Sequence, residues 1–286
     1  MPYPCAGIDP LAFHGIDYAA LIGKRAVTPA VTRRISDADV PIVRERANDG
    51  FVIKAGGADC RPEQWTIRTE TSMRLFLTSY LAGTKGLADE FLSKAGPREI
   101  VFVPTAANVE EYRGYVDEGM AALREMGYGL RILDVSEAPR DEAEQAVLEC
   151  DCLCVSGGNT FFLLQELRRK GLVGLIAERA RKGMPYIGES AGAVIASPDI
   201  GYCRIMDDEA AAPGLDDCSG MGLVDWYVLP HNGEFPFVEA TAEMIRIYGG
   251  ELDLVPLDNS QAAVVNSSGF SVMAEEPRDD AGDGYS

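Results

Sequence analysis

The stretch Tyr186-Ile187-Gly188-Glu189-Ser190-Ala191-Gly192-Ala193 sets the reading of the whole chain. A short apolar run from Met184 to Ile187 ends at Gly188, and after Ser190 come small residues and then Val194-Ile195-Ala196, which can begin a helix. The order is strand, sharp turn, helix. In that setting G-x-S-x-G predicts a nucleophile elbow, whose flanking glycines let a strained turn push a serine hydroxyl out beyond the end of a strand.

Working outward, the segments before the elbow alternate regularly. Leu75–Tyr80, Ile100–Pro104, Leu130–Leu133 and Cys152–Val155 read as strands. Between them lie helical patterns: one near Leu87–Lys94, one over Val109–Met126 with Val116, Met120, Leu123 and Met126 at spacings of three and four, and one opening at Ala138-Pro139-Arg140-Asp141. Two more, Phe161–Arg169 and Leu172–Lys182, lead into the elbow strand. Such alternation predicts an α/β fold of three layers, a mainly parallel sheet with helices on both faces. In that architecture sites form at the carboxyl ends of the strands.

Ser156-Gly157-Gly158-Asn159-Thr160 follows a strand and opens a helix, so it belongs at the same sheet edge as the elbow. Free N–H groups point outward at both helix starts. The N–H groups of Gly158 and Ala191 could converge on the oxygen of a tetrahedral intermediate, worth on the order of 3 kcal/mol per donor in acyl transfer.

A serine nucleophile needs a base, and histidine is scarce: the chain has only His14 and His231. His14 lies in the irregular first part. His231 follows the predicted strand Leu223–Leu229 and Pro230, well placed to reach across a cleft. An acid must orient the imidazole. Asp258, after the strand Val255-Pro256-Leu257, is the expected one, with Asp207, Asp208 and Asp225 as competitors. Asp199 to Gly222 reads as a loop over the site, followed later by a helix at 237–247 and strands at Ala262–Val265 and Phe270–Met273.

Composition narrows the function. A formal charge of −19 argues against a broad nucleic-acid surface. No apolar run is long enough to span a bilayer, and Met1-Pro2-Tyr3-Pro4-Cys5 lacks a secretory layout, so a cytoplasmic location is expected. Cys150, Cys152 and Cys154 alternate rather than take zinc spacing, and are expected to be buried thiols on one face. No metal or cofactor is called for. Residues 1–72 lack clear periodicity apart from a short strand at Phe51-Val52-Ile53 and are expected to form a poorly ordered extension; the domain is placed at 73–273 and an acidic tail at 274–286.

With these motifs in hand, the chain resembles the peptidase E (aspartyl dipeptidase) family of serine peptidases, which also includes cyanophycinases. The resemblance rests on Ser156–Phe161, on Tyr186–Ala193 and on Leu229-Pro230-His231. It implies a class I glutamine amidotransferase-like, flavodoxin-like fold with serine on the elbow. It also implies Ser190 as nucleophile, His231 as base, and Gly158 and Ala191 as oxyanion donors. A glutamate has been the family's candidate for the third triad member, whereas the matching segment here is Pro256-Leu257-Asp258.

The activity implied is exopeptidase cleavage of a small peptide, with N-terminal aspartate as one candidate. Such a pocket needs a cation for the side chain and an anion for the amino group. Arg204 is the candidate for the first and Glu189 or Glu234 for the second, with Asn159 beside them. The competing readings are a non-catalytic amidotransferase-like domain binding a small anion and an α/β-hydrolase-type esterase. A homo-oligomer is compatible with any of these.

Overall fold

The computed structural model describes residues 42–47, 50–55, 73–266 and 269–275. In the first part, β1 (Ile42–Ala47) and β2 (Gly50–Ala55) form an antiparallel hairpin with Ala47 opposite Gly50. The expected strand at Phe51–Ile53 is thus one arm of a hairpin, and the remainder of the proposed extension lies outside the described residues, as does the tail beyond Glu275. The hairpin belongs to a different unit from the domain that follows.

That domain is built on β3 (Leu75–Thr78), β4 (Glu99–Val103), β5 (Gly129–Ile132), β6 (Cys152–Val155), β7 (Tyr186–Glu189), β10 (Gln261–Asn266) and β11 (Gly269–Ala274). They form one seven-stranded sheet in the order β11-β10-β3-β7-β6-β4-β5. The strands from β3 to β5 along that order are parallel, while β10 runs antiparallel to β3 and β11 antiparallel to β10. The expected mainly parallel α/β sheet is what forms.

The physical basis is visible strand by strand. A parallel sheet covered on both faces needs apolar residues at successive positions, each sent to the opposite face. Leu75 and Leu77 pack on one face and Phe76 on the other; Val101 and Val103 oppose Ile100 and Phe102; Leu153 and Val155 oppose Cys152 and Cys154. One face is covered by α1 (Lys85–Ala95) and α2 (Gly114–Glu125), through Phe91, Leu92, Val116 and Leu123. The other is covered by α3 (Arg140–Glu149), α4 (Thr160–Arg169), α5 (Leu172–Arg181) and the single turn α6 (Ala191–Val194).

Cys152 and Cys154 share the α1–α2 face, as alternation requires, but Cys150 precedes the strand and packs on the opposite side against Met184. Burial pushes all three thiols up, away from reactive thiolate.

Two expectations change in detail. Leu223–Asp225 does not join a strand, because Met221 and Leu223 donate their N–H groups to the carbonyls of Ile195 and Ala196. The strand is β8 (Tyr227–Leu229), and it pairs in parallel with β9 (Leu254–Pro256) as a separate two-stranded sheet. The region expected as loop contains two 3-10 turns, Gly201–Ile205 and Glu209–Ala211, with Tyr202 and Cys203 in the core. The last helix is α7 (Val238–Tyr248).

Candidate active site

The carboxyl ends of β3, β6, β7, β8 and β9 feed the loops that hold Ser79, Gly157-Gly158, Ser190, His231 and Asn259. Ser190 sits at φ 48°, a conformation rare for a residue with a side chain, with its N–H bound to Thr78 O at 2.8 Å. The flanking glycines are obligatory. A Cβ on Gly188 would lie 2.4 Å from Gly192 O, and one on Gly192 would lie 2.1 Å from Val155 O. Tyr186 Oη donates to Gly192 O at 2.6 Å and locks the turn from beneath. The G-x-S-x-G pattern is therefore a set of close backbone approaches around a raised serine.

Ser190 Oγ lies 2.9 Å from His231 Nε2. His231 also has positive φ, 57°; its N–H donates to Ser79 Oγ at 3.0 Å and its ring stacks on Phe237 with centroids 4.8 Å apart. Burial lowers the imidazole's pKa from the ordinary 6.5, opposed by the Asn259 hydrogen bond and the Glu234 charge. A neutral ring at neutral pH is what a general base requires.

The third partner differs from the expected one. His231 Nδ1 faces Asn259 Oδ1 at 2.8 Å. Asp258 does not reach the ring, because its Oδ1 accepts from Ser260 N at 2.8 Å and Ser260 Oγ at 2.7 Å. That local turn, closed by an aspartate onto the residue two along, is a common alternative for this side chain. It pulls Asp258 away and presents Asn259. Nor do the competitors reach the imidazole: Asp207 accepts from Thr160 N, Asp208 accepts from Ala210 N, and Asp225 is exposed. With Asn259 Oδ1 accepting from Nδ1–H, the lone pair of Nε2 is directed at Ser190 Oγ–H.

On the facing wall, Gly157 and Gly158 follow β6. Gly158 has φ 131°, and a Cβ there would lie 2.3 Å from the carbonyl of Ala106. The N–H groups of Gly158 and Ala191 have no hydrogen-bond partners among the described residues. These two are the expected oxyanion donors.

A cleft of about 460 Å³ runs over this constellation, lined by Ser79, Gly157, Gly158, Ser190, His231 and Phe237 together with Tyr80, Glu110, Tyr115, Met206, Asp207 and Asp208. The substrate-binding residues expected from sequence fare differently. Arg204 does not line the cleft: its guanidinium pairs with Glu209 and lies over the Phe161 ring. Glu234 lies beside His231 but outside the cleft lining. Asn159 lines the cleft, yet its amide is committed, Oδ1 accepting from Phe162 N at 2.9 Å to cap α4 and Nδ2 donating to Asp208 O at 2.9 Å.

Glu189 is buried beneath the elbow. Its Oε1 accepts from Leu81 N at 2.8 Å and its Oε2 from Ser156 Oγ at 3.1 Å. Burial raises its pKa to about 7 against those hydrogen bonds. It lines the cleft and ties Ser156, at the end of β6, to the loop after β3.

The profile of peptidase family S51 matches residues 75–273, the span from β3 to β11. The chain belongs to peptidase family S51. Among its S51-type relatives, an uncharacterized peptidase of Pasteurella multocida is 44% identical over 194 residues, covering 68% of this chain and 94% of that protein. Peptidase E of Salmonella arizonae is 37% identical over 138 residues, covering 48% of this chain and 56% of its own length. A solved structure of a peptidase E-type protein from Listeria monocytogenes superposes with TM-score 0.67 at 37% identity, covering 71% of this chain and 99% of that one. As a family S51 member the chain is a serine peptidase, a hydrolase, and its mainly parallel sheet is the fold of the peptidase E neighbours.

Among the described residues no helix is long and apolar enough to cross a membrane, and no group of acidic, histidine or cysteine side chains is arranged to hold a metal ion. Sequence reasoning missed Asn259, Ser79, Phe237, Glu110 and Tyr115. The only sequence signal available for Asn259 was its position after the β9 strand, which it shares with Asp258.

Proposed function

We propose that this chain is a serine exopeptidase of the dipeptidase type, acting on small peptides with a free amino terminus. The observation that carries the proposal is the strained Ser190, whose Oγ is 2.9 Å from His231 Nε2 at the floor of a cleft sized for a short peptide. Ser190 Oγ attacks the scissile carbonyl carbon as its proton passes to His231 Nε2, and the carbonyl electrons move to oxygen, where the N–H groups of Gly158 and Ala191 hold them. Collapse breaks the C–N bond, and His231 returns its proton to the departing amine. Water, deprotonated by His231, then cleaves the acyl-serine ester. Asn259 keeps the ring in the productive tautomer without contributing charge.

The steps use only the chain's own side chains and N–H groups, and the protein is expected to work in the cytoplasm. Ser190→Ala should remove hydrolysis of a dipeptide panel and labelling by a fluorophosphonate probe, with the circular dichroism spectrum unchanged. Undiminished turnover in that variant would refute the assignment.

A further inference from the structure

The cleft has a charge that the catalytic steps do not use. Glu110, Asp207 and Asp208 line it together with Ser190 and His231, and no lysine or arginine is among the described residues that do so. Arg113 turns its guanidinium to the main-chain oxygens of Asn108 and Glu110 and faces a separate groove. The Glu110 carboxyl, half-buried, has no hydrogen-bond partner among the described residues, and burial raises its pKa. Tyr115 also lines the cleft, and its Oη is sealed from solvent with no partner among the described residues. The fields of Glu110, Glu189 and Asp207 reach this hydroxyl and outnumber the opposing one of Arg113, and that of Glu110 reaches Asp207.

Asp207 and Asp208 have backbone N–H partners and Glu110 has none, but no cation lines the cleft beside any of them, and such a grouping next to a serine–histidine pair calls for a donor carrying positive charge. The α-ammonium of any free peptide supplies one such charge, and three carboxyl groups leave room for a second. An aspartate side chain there would meet like charge, with no lysine or arginine among the cleft-lining residues to pair with it.

We infer that the cleft selects peptides whose N-terminal residue is lysine or arginine, the α-ammonium and the cationic side chain lying against Glu110, Asp207 and Asp208. This rests on the serine-peptidase assignment for the position of the scissile bond, but the charge selection can be read without turnover.

Two measurements on the complete chain separate the questions. The wild-type protein is given Lys-Leu, Arg-Leu, Leu-Leu and Asp-Leu, with kcat/KM expected to be about tenfold higher for the two basic substrates than for Leu-Leu, and lowest for Asp-Leu. The Ser190→Ala protein is titrated calorimetrically with lysinamide and leucinamide, lysinamide being expected to bind about tenfold more tightly and to lose that advantage in Ser190→Ala carrying Glu110→Gln and Asp208→Asn. Equal or faster cleavage of Asp-Leu than of Lys-Leu overturns the inference while leaving the peptidase standing. Tighter binding of lysinamide with no dipeptide cleaved supports the charge selection and removes the exopeptidase reading. Equal binding of the two amides overturns the inference whatever is cleaved.

Discussion

Asn259 presents an amide oxygen to His231 Nδ1 where an aspartate or glutamate would present a charge. An amide fixes the tautomer but does little to stabilise the imidazolium that forms during the reaction. Asn259→Ala should therefore lower kcat by roughly 10- to 100-fold with a smaller effect on KM, since the ring loses its orientation together with a bond that raises its basicity. Asn259→Asp should raise the pKa of His231 through the added negative charge. Protonated His231 is inactive as a base, so the acid limb of the kcat/KM profile should lie below pH 6.5 in the wild type and move to higher pH in that variant. At this scale the sequence was only partly legible. Ser190 and His231 could be named because the glycine pattern is rare and histidine rarer, but Asp258 and Asn259 are neighbours on one loop. Which of them reached the ring was decided by the hydrogen bonds from Ser260 to Asp258, whose competition with a ring 28 residues away in sequence has no local signature.

The elements carrying the site were easier to read, because their signals are local. Short apolar runs, buried on both faces, identified the strands, and the elbow glycines stand where a Cβ would strike backbone. The same reasoning predicts a variant. Gly158→Ala places a methyl group 2.3 Å from the Ala106 carbonyl at a φ of 131°. It should cost roughly 1–3 kcal/mol in chemical denaturation and, by displacing an oxyanion donor, lower kcat by about 100-fold. The loop after β3 gave no such sign, since a lone serine at a strand end is common. Ser79 Oγ accepts from His231 N and donates to Leu257 O at 2.9 Å, joining the loops that carry the base and its amide partner. Ser79→Ala leaves the His231 N–H unpaired, while Leu257 O keeps its bond from Asn232 N–H, and should destabilise the fold by roughly 1–3 kcal/mol while reducing kcat. The separate β8–β9 pair was also illegible as such, because partner choice depends on backbone groups distant in sequence.

For the molecule as a whole, Glu189 links stability to pH. Its carboxyl is buried between Leu81 N–H and Ser156 O–H, and its pKa rises from 4.5 to about 7 on folding. A raised value in the folded state means that the contribution is fully present below pH 4.5 and is lost as pH rises through about 7. The wild type should therefore lose stability relative to Glu189→Gln across that interval, by up to roughly 3 kcal/mol, as followed by urea denaturation at several pH values. Half-buried Asp207, raised to about 6, adds to the same trend. Fold class was legible at this scale because a seven-stranded sheet repeats its signal in every strand. The cleft's charge was not, because it gathers residues from the segment after β4, from α2 and from the turns after α6.

The end of β3 and the loop after it hold three residues of the site: Thr78 O holds Ser190 N–H, Ser79 holds His231 N–H, and Leu81 N–H holds Glu189. Yet β3 leads the domain, and its two neighbours in the sheet come much later, Leu75 standing beside Tyr186 and Thr78 beside Ala262. Pairings across such separations are late and slow events in folding. A ribosome must therefore emit almost the entire domain before the strand it made first can be clasped on both sides, and the serine and histidine stay apart during most of translation. The hydrolase is disarmed while it is being made, and its own fold supplies the delay.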